Sequence, residues 1–261
     1  MHVATVAPCA DHRATVLVCP PLFRESGRNR RREYLLARTL AQAGFLVVRF
    51  DYRGTGESVT TDGSDEIVGT EQLVRDAIEV LDGVVTDPLG RCYFVGTRLG
   101  AWVALGVAQV REVAGVVLWD PVFAGATYVR ELLRSQLLVE LRDSANSVGS
   151  NGQMLRQLDE EGFLDILGST LTRALVGDVV ERDLAGMLGS TDCRTWVARL
   201  LSHPPSTAPV DLPATVSVAS VLDPSGWWFH DSREWSPDED HAGTKELLTA
   251  TVAKLVSWDA T

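Results

Sequence analysis

Several things this sequence lacks narrow what it can be. No apolar run approaches the roughly eighteen residues that a membrane-crossing helix needs, so no span is expected. Met1-His2-Val3 does not open a charged segment followed by an apolar one, so no signal peptide is expected either. The four cysteines (Cys9, Cys19, Cys92, Cys193) are scattered, with no Cys-x-x-Cys pair and no histidine at ligand spacing. They read as core thiols of a reducing compartment and exclude a disulfide framework or a metal site. Positive charge is in deficit: the net charge of −11 argues against a nucleic-acid or anionic-membrane partner. The glycine-punctuated segment 51–58 has neither Gly-x-Gly-x-x-Gly nor a phosphate-loop lysine, so neither a phosphate cradle nor any cofactor is expected. Internal repeats and low-complexity tracts are absent too. The expectation is a soluble cytoplasmic protein.

What is present is ordinary globular material, 45% apolar and 23% charged over 261 residues, enough for one large α/β domain or two small ones. Residues 2–8 and 13–19 are rich in β-branched side chains with a turn between them, which predicts a starting hairpin. The second run is nearly continuously apolar, as in a strand covered on both faces, and stops at Pro20-Pro21. The arginine-rich stretch Arg24 to Arg32 reads as a polar loop, either solvated and salt-bridged or an anion-facing rim. A helix follows over Glu33 to Ala43 with Gly44 at its C-cap, then a strand over Phe45 to Phe50. Helical spacing returns over Thr70 to Leu81, and apolar strands over Cys92 to Val95 and Val113 to Trp119. This alternation predicts a mostly parallel sheet with right-handed crossovers.

From residue 124 to about 209 the pattern becomes helical, with no buried strand expected, which predicts a helical cap or lid inserted into a core of residues 1–123 and 210–261. A strand over Ala214 to Val221 and an amphipathic helix over Thr244 to Trp258 complete that core. Trp227-Trp228-Phe229 reads as a last short strand or as an aromatic wall facing the cap.

The stretch that organises the chain is Gly96-Thr97-Arg98-Leu99-Gly100, between an apolar strand and a small-residue helix. It has the shape of a nucleophile elbow, Gly-x-nucleophile-x-Gly, whose glycines permit a strained strand-to-helix turn. Where a serine belongs, Arg98 stands. A guanidinium stays protonated, carries only donors and cannot attack an acyl carbon, so acyl-enzyme hydrolysis through this position is excluded by chemistry.

Together with the Asp51-x-Arg53-Gly54-x-Gly56-x-Ser58 loop and the Pro20-Pro21-Leu22 segment, this elbow resembles the α/β-hydrolase fold in its serine-aminopeptidase-like branch, over nearly the whole chain. More narrowly, three features resemble hydrolase-like proteins associated with exosortase systems, a group that tends to carry arginine in the elbow. They are Pro20-Pro21-Leu22-x-x-Glu25 with Arg31-Arg32, Gly96-x-Arg98-Leu99-Gly100-Ala101, and Leu118-Trp119-Asp120-Pro121-Val122 followed by Gly125 and Tyr128. The resemblance implies an α/β architecture: a mostly parallel central sheet flanked by helices, with a helical cap insertion. It places oxyanion-hole-like N–H donors at Leu22 and Leu99, the triad acid at Asp223 with Asp120 as the other carboxylate able to reach the elbow, and the histidine at His241, with His230 as a rival. Cys19 and Thr97 are candidate substitute nucleophiles near the elbow, and neither has an assigned base.

Two roles for Arg98 stay open at this level: an internal ion pair that closes a dead site, or a fork onto an anionic group of a ligand. Trp102, Trp227, Trp228 and Trp235 suit packing or an apolar ligand wall. The expected partner is a small anionic or acyl, partly apolar or polyketide-like molecule, with non-hydrolytic chemistry (cyclisation, elimination or proton transfer) as one outcome. A silent binding or scaffold protein, and a hydrolase or thioesterase with an atypical nucleophile, are the alternatives. Oligomeric state stays open, a homodimer included.

Overall fold

The computed structural model describes residues 1–8, 11–58, 66–84, 91–143, 150–201, 212–223 and 242–261. His241, His230, Trp227, Trp228, Phe229 and Trp235 lie outside the described residues.

Seven strands form one sheet in the order β1-β3-β2-β4-β5-β8-β9. In chain order they are β1 (Val3–Val6), β2 (Ala14–Cys19), β3 (Phe45–Phe50), β4 (Cys92–Thr97), β5 (Gly115–Trp119), β8 (Thr195–Leu201) and β9 (Ser217–Leu222). Only β1 runs antiparallel; every other pairing is parallel. β2, β4 and β5 are buried at every position, because helices cover both faces. Successive residues alternate between those faces. Leu17, Phe94 and Leu118 pack with helices α2 (Thr70–Val84) and α3 (Gly100–Ala108). Val18, Tyr93, Val95 and Trp119 pack with α1 (Phe23–Gln42) and α8 (Ala242–Asp259) on the other side.

Between β5 and β8 run α4 (Gly125–Asp143), α5 (Asn151–Glu161), an antiparallel hairpin of β6 (Phe163–Ile166) and β7 (Ser169–Thr172), α6 (Arg173–Val180) and α7 (Leu184–Gly189). Thr172 ties this segment to the core by donating from Oγ1 to the Ile67 carbonyl at 2.6 Å. Asp178 accepts from the Thr70 amide at 2.7 Å, and so caps α2 from the insertion. No helix among the described residues is long and apolar enough to cross a membrane.

Three expectations are corrected. The starting hairpin does not form: β1 pairs with β3, Val3 opposite Phe50, because both edges of β2 are taken by β3 and β4. The arginine-rich stretch is no loop but the first half of α1, whose inward face there is polar: Glu25, Asn29, Arg32 and Glu33 precede Leu36 and Leu40 at helical spacing, all buried. The inserted segment is not purely helical and does not extend to residue 209. Leu167 (φ 54°) and Gly168 (φ 80°) make a tight reversal within the run read as helical, and β8 returns to the sheet at Thr195.

Candidate functional site

The C-terminal ends of the parallel strands set the site. Between β4 and α3 the elbow turns as its glycines predict. A Cβ on Gly96 would lie 2.5 Å from the Gly100 carbonyl oxygen, and one on Gly100 would lie 2.3 Å from the Cys19 carbonyl oxygen. Neither position tolerates a side chain, and the second contact presses the elbow onto the end of β2. Arg98 takes the left-handed conformation of an elbow residue, φ 52°. Its N–H donates to the Trp119 carbonyl at 3.0 Å and its carbonyl accepts from Ala101 at 3.1 Å. Phe23 (φ 56°), after β2, and Asp120 (φ 40°), after β5, are held the same way. Three neighbouring strands thus end at strained non-glycine residues, each at a typical cost of about 1–3 kcal/mol.

Arg98 is only 8% exposed, and its side chain folds into a cluster of carboxylates. Its Nε donates to Glu25 Oε1 at 3.0 Å. Nη1 lies 3.6 Å from Asp120 Oδ2 and 3.4 Å from the Asp120 carbonyl, and Nη2 donates to Glu131 Oε2 at 3.4 Å. The guanidinium carbon sits 5.6 Å from the centroid of the Tyr128 ring, whose hydroxyl donates to the second Glu25 oxygen at 3.0 Å. Both oxygens of Glu25 are therefore engaged, one by a cation and one by a phenol. Burial would lower the pKa of Arg98, but Glu25 and Asp120 overcome it and hold the proton more tightly than usual. Glu25 is raised as well, but by the opposite balance: burial pushes its carboxyl above its ordinary 4.5 despite the pull of Arg98 and the hydrogen bond from Tyr128.

Asp223 stands just past β9, where the resemblance puts the triad acid. It is 2% exposed and accepts from Arg32 Nη2 at 3.1 Å, while Arg32 Nε donates to Thr244 Oγ1 at 2.9 Å. Burial lowers Arg32 to about 10, against the pull of Asp223. His241 lies outside the described residues, so the third triad position carries no geometry. Leu22 and Leu99 are buried at 1% and 0%, Leu22 as the N-cap of α1 and Leu99 as that of α3, on the two chain segments that Gly100 presses together. Cys19 is fully buried and its thiol is pushed far up by desolvation, which makes it a poor nucleophile. Thr97 is also fully buried, and its Oγ1 has no hydrogen-bond partner among the described residues. Trp102 donates its indole N–H to the Val122 carbonyl at 2.7 Å and packs in the core, so it is no ligand wall.

Beside the elbow lies a cavity of about 540 Å³, within the usual range of ligand sites. It is walled by Leu22 and Phe23 at the start of α1, by Gly54 to Gly56, and by Gly168 to Thr170 at the hairpin tip; Arg98 is not among its lining residues. No group of carboxylates, histidines and cysteines among the described residues could hold a metal ion.

Sequence reasoning did not assign roles to Glu25, Tyr128, Glu131 or Arg32. Glu25 and Tyr128 did stand in the resemblance motifs, and a lone arginine in an elbow calls for a carboxylate partner, so a search for one inside those motifs would have found Glu25.

A family model described as serine aminopeptidase, S33, matches residues 10–161. A protein of Variovorax paradoxus described as a carbamate hydrolase, RutD, is 36% identical over 81 residues; the match spans 30% of this chain and only 29% of that protein. Among solved structures, Est1E from Butyrivibrio proteoclasticus, in a complex with ferulic acid, superposes with a TM-score of 0.63 at 11% identity, covering 100% of this chain and 96% of that one. Mouse α/β-hydrolase domain-containing protein 10 gives 0.61 at 14% identity, covering 98% and 93%. The monoacylglycerol lipase of Paleococcus ferrophilus gives 0.59 at 18% identity, covering 98% of each. At such identities these likenesses establish the α/β-hydrolase fold.

Proposed function

The chain belongs to the serine aminopeptidase (S33) family of α/β-hydrolases, and from that premise we propose that it binds a small molecule without serine-dependent hydrolysis. One observation carries this reading: the residue at the nucleophile position is a buried arginine whose Nε is 3.0 Å from Glu25 and whose other nitrogens face Asp120 and Glu131. A guanidinium cannot serve as the nucleophile. One already surrounded by three carboxylates is also a poor clamp for an anionic ligand, since each would repel it. Of the two roles open to Arg98, this geometry favours the internal ion pair.

The closed elbow does not make the molecule inert. A cavity remains beside it, and the strain at Phe23, Arg98 and Asp120 is a cost that a purely structural relic would have no use for. The segment between β5 and β8 acts as a lid in this reading, because its hairpin tip supplies one wall of the cavity. The test is labelling with a fluorophosphonate probe, mapped by mass spectrometry. No adduct is expected, and an adduct on any side chain, with ester turnover, overturns the reading.

A second reading has its own observation. Glu25, its carboxyl raised by burial against the opposing pull of Arg98 and of the Tyr128 hydroxyl that donates to it, can hold a proton at the strand ends. Proton transfer, elimination or cyclisation, with His241 as a further acid or base, is the enzymatic form of the same site. Turnover that Glu25→Gln abolishes while ligand affinity persists would favour it.

A further inference from the structure

We propose that residues 66–69 form a strap along the cavity, clasped shut by Thr172 and Asp178 of the inserted segment, and that releasing the clasp admits the ligand. The inference rests on the ligand-binding reading above and gives that site its means of access.

Two kinds of backbone wall the cavity. One kind is well anchored: Phe23 and Ser26 belong to α1, and the turn at 54–56 is closed by its own hydrogen bonds. There the Thr55 N–H donates to the Tyr52 carbonyl at 3.0 Å, and the Ser58 N–H to the Thr55 carbonyl at 2.8 Å. The other kind is Glu66 and Ile67, in a stretch that is neither helix nor strand over residues 66–69. Among the described residues, no backbone group of that stretch bonds to the sheet or to α1. The Val68 N–H donates to Gln72 Oε1 at 3.0 Å, in the first turn of α2. The ties outside α2 run to the insertion. The Ile67 carbonyl accepts from Thr172 Oγ1 at 2.6 Å. Asp178 Oδ2 takes both the Thr70 N–H and the Thr70 hydroxyl, at 2.7 and 2.6 Å. Between these two points Gly69 passes so close that a Cβ there would lie 3.5 Å from the same Asp178 oxygen.

Both points are set from the insertion side. Thr172 and Thr70 are buried, so removing either hydroxyl leaves its partner unpaired and away from water. Thr172 Oγ1 also accepts the Leu175 N–H at 3.1 Å, as the N-cap of α6. Asp178 Oδ1 is held by Arg182 Nε and Nη2, at 2.8 and 2.7 Å. The hairpin tip that shares the cavity is fixed by other means: Leu167 takes the left-handed conformation, and its N–H donates to Gln136 Oε1 at 2.9 Å. The strap is therefore the part of the wall that the clasp, and not the sheet, holds in place. Within residues 66–69 only Ile67 is buried, so opening the strap exposes one apolar side chain. A segment with so few buried contacts opens at a lower free energy than the sheet around it.

Hydrogen exchange followed by mass spectrometry on the full chain tests the clasp. A second readout is N-ethylmaleimide labelling of a thiol placed in the cavity lining by Ser26→Cys. Thr172→Val and Asp178→Ala are each expected to speed exchange over residues 66–70 by roughly tenfold or more, and labelling at position 26 with it. Exchange in β4 and labelling of Cys19, fully buried at the end of β2, should stay slow, which separates release of the strap from unfolding. Arg182→Ala leaves both Thr70 bonds in place and is expected to change either rate by about twofold at most. Thr172→Ser, which keeps the hydroxyl, should behave as wild type. Unchanged exchange over 66–70 in either Thr172→Val or Asp178→Ala overturns the inference, as does a rise that β4 and Cys19 share. Faster exchange with unchanged labelling at position 26 overturns it too, since the clasp would then hold the fold and not the entrance. None of these outcomes touches the non-hydrolytic reading, which fluorophosphonate labelling at the elbow would sink whatever the strap does.

Discussion

Removing Arg98 leaves Glu25 in a place where it cannot stay ionised cheaply. The pair is buried, at 8% and 3% exposure, with 3.0 Å between Nε and Oε1. Losing one partner of such a pair typically costs about 3–5 kcal/mol, because the other is stranded without water. Arg98→Ala is therefore expected to destabilise the fold by about that much, a drop on the order of 10 °C in Tm for a chain of this size. Glu25→Leu should cost less, since Asp120 and Glu131 still face the guanidinium. Glu131 adds little, its side chain being 43% exposed. Replacing both, Arg98→Ala with Glu25→Leu, removes the two desolvation penalties together and is expected to be far milder than the sum of the single changes. Arg98→Gly should be less harmful than Arg98→Ala by about 1 kcal/mol or more, because glycine alone relieves the strain at φ 52°. The Arg98→Ala penalty should also shrink on acidification, as a protonated Glu25 no longer needs its cation. Urea unfolding of the five proteins, comparing midpoints at constant m, measures all of this. Additive single and double changes, or an Arg98→Ala cost below about 1 kcal/mol, would refute the claim that the elbow is closed by a coupled ion pair.

Two more expectations follow from the same geometry. Burial holds the folded-state pKa of Glu25 above 4.5, so between that value and the raised one the folded protein keeps a proton that the unfolded chain has lost. The contribution of Glu25 is then fully present below about pH 4.5 and lost as pH rises through the folded value, so the stability of wild type relative to Glu25→Gln should fall over that window. A flat or rising difference would show that the guanidinium outweighs burial. At the elbow, Gly100→Ala forces a methyl to within 2.3 Å of the Cys19 carbonyl and is expected to cost about 3 kcal/mol or more. Gly177→Ala, inside α6 with nothing within 4 Å, should be stabilising by about 0.5–1 kcal/mol. Thermal melts of the two variants compare a packed glycine with an idle one.

The sheet was legible because its strands are buried on both faces. The runs at β2, β4 and β5 are short and almost wholly apolar, and their β-branched and aromatic residues with breakers on either side favour strands over buried helix. The elbow was legible for a related reason: glycines flanking a strand-to-helix turn are a local steric requirement, visible in five letters. Against this, the first half of α1 was read as a loop because its inward side chains are Glu25, Asn29, Arg32 and Glu33. A hydrophobic pattern cannot register a polar face that is buried. β6 and β7 were missed because a run of eight to ten half-apolar residues suits a helix until Leu167 and Gly168 reverse it.

The sequence by itself determined that position 98 holds a permanent cation with no nucleophilic atom, and that the fold around it is an α/β-hydrolase core. It could not say what that cation faces. The Glu25 that holds it lies 73 residues earlier in the chain, and the Arg32 that holds Asp223 lies 191 residues before it. Partners so far apart in sequence meet only because β2, β4 and β9 end on the same side of one parallel sheet. Whether a buried charge is closed off or free for a ligand depends on such neighbours, and so belongs to the tertiary structure.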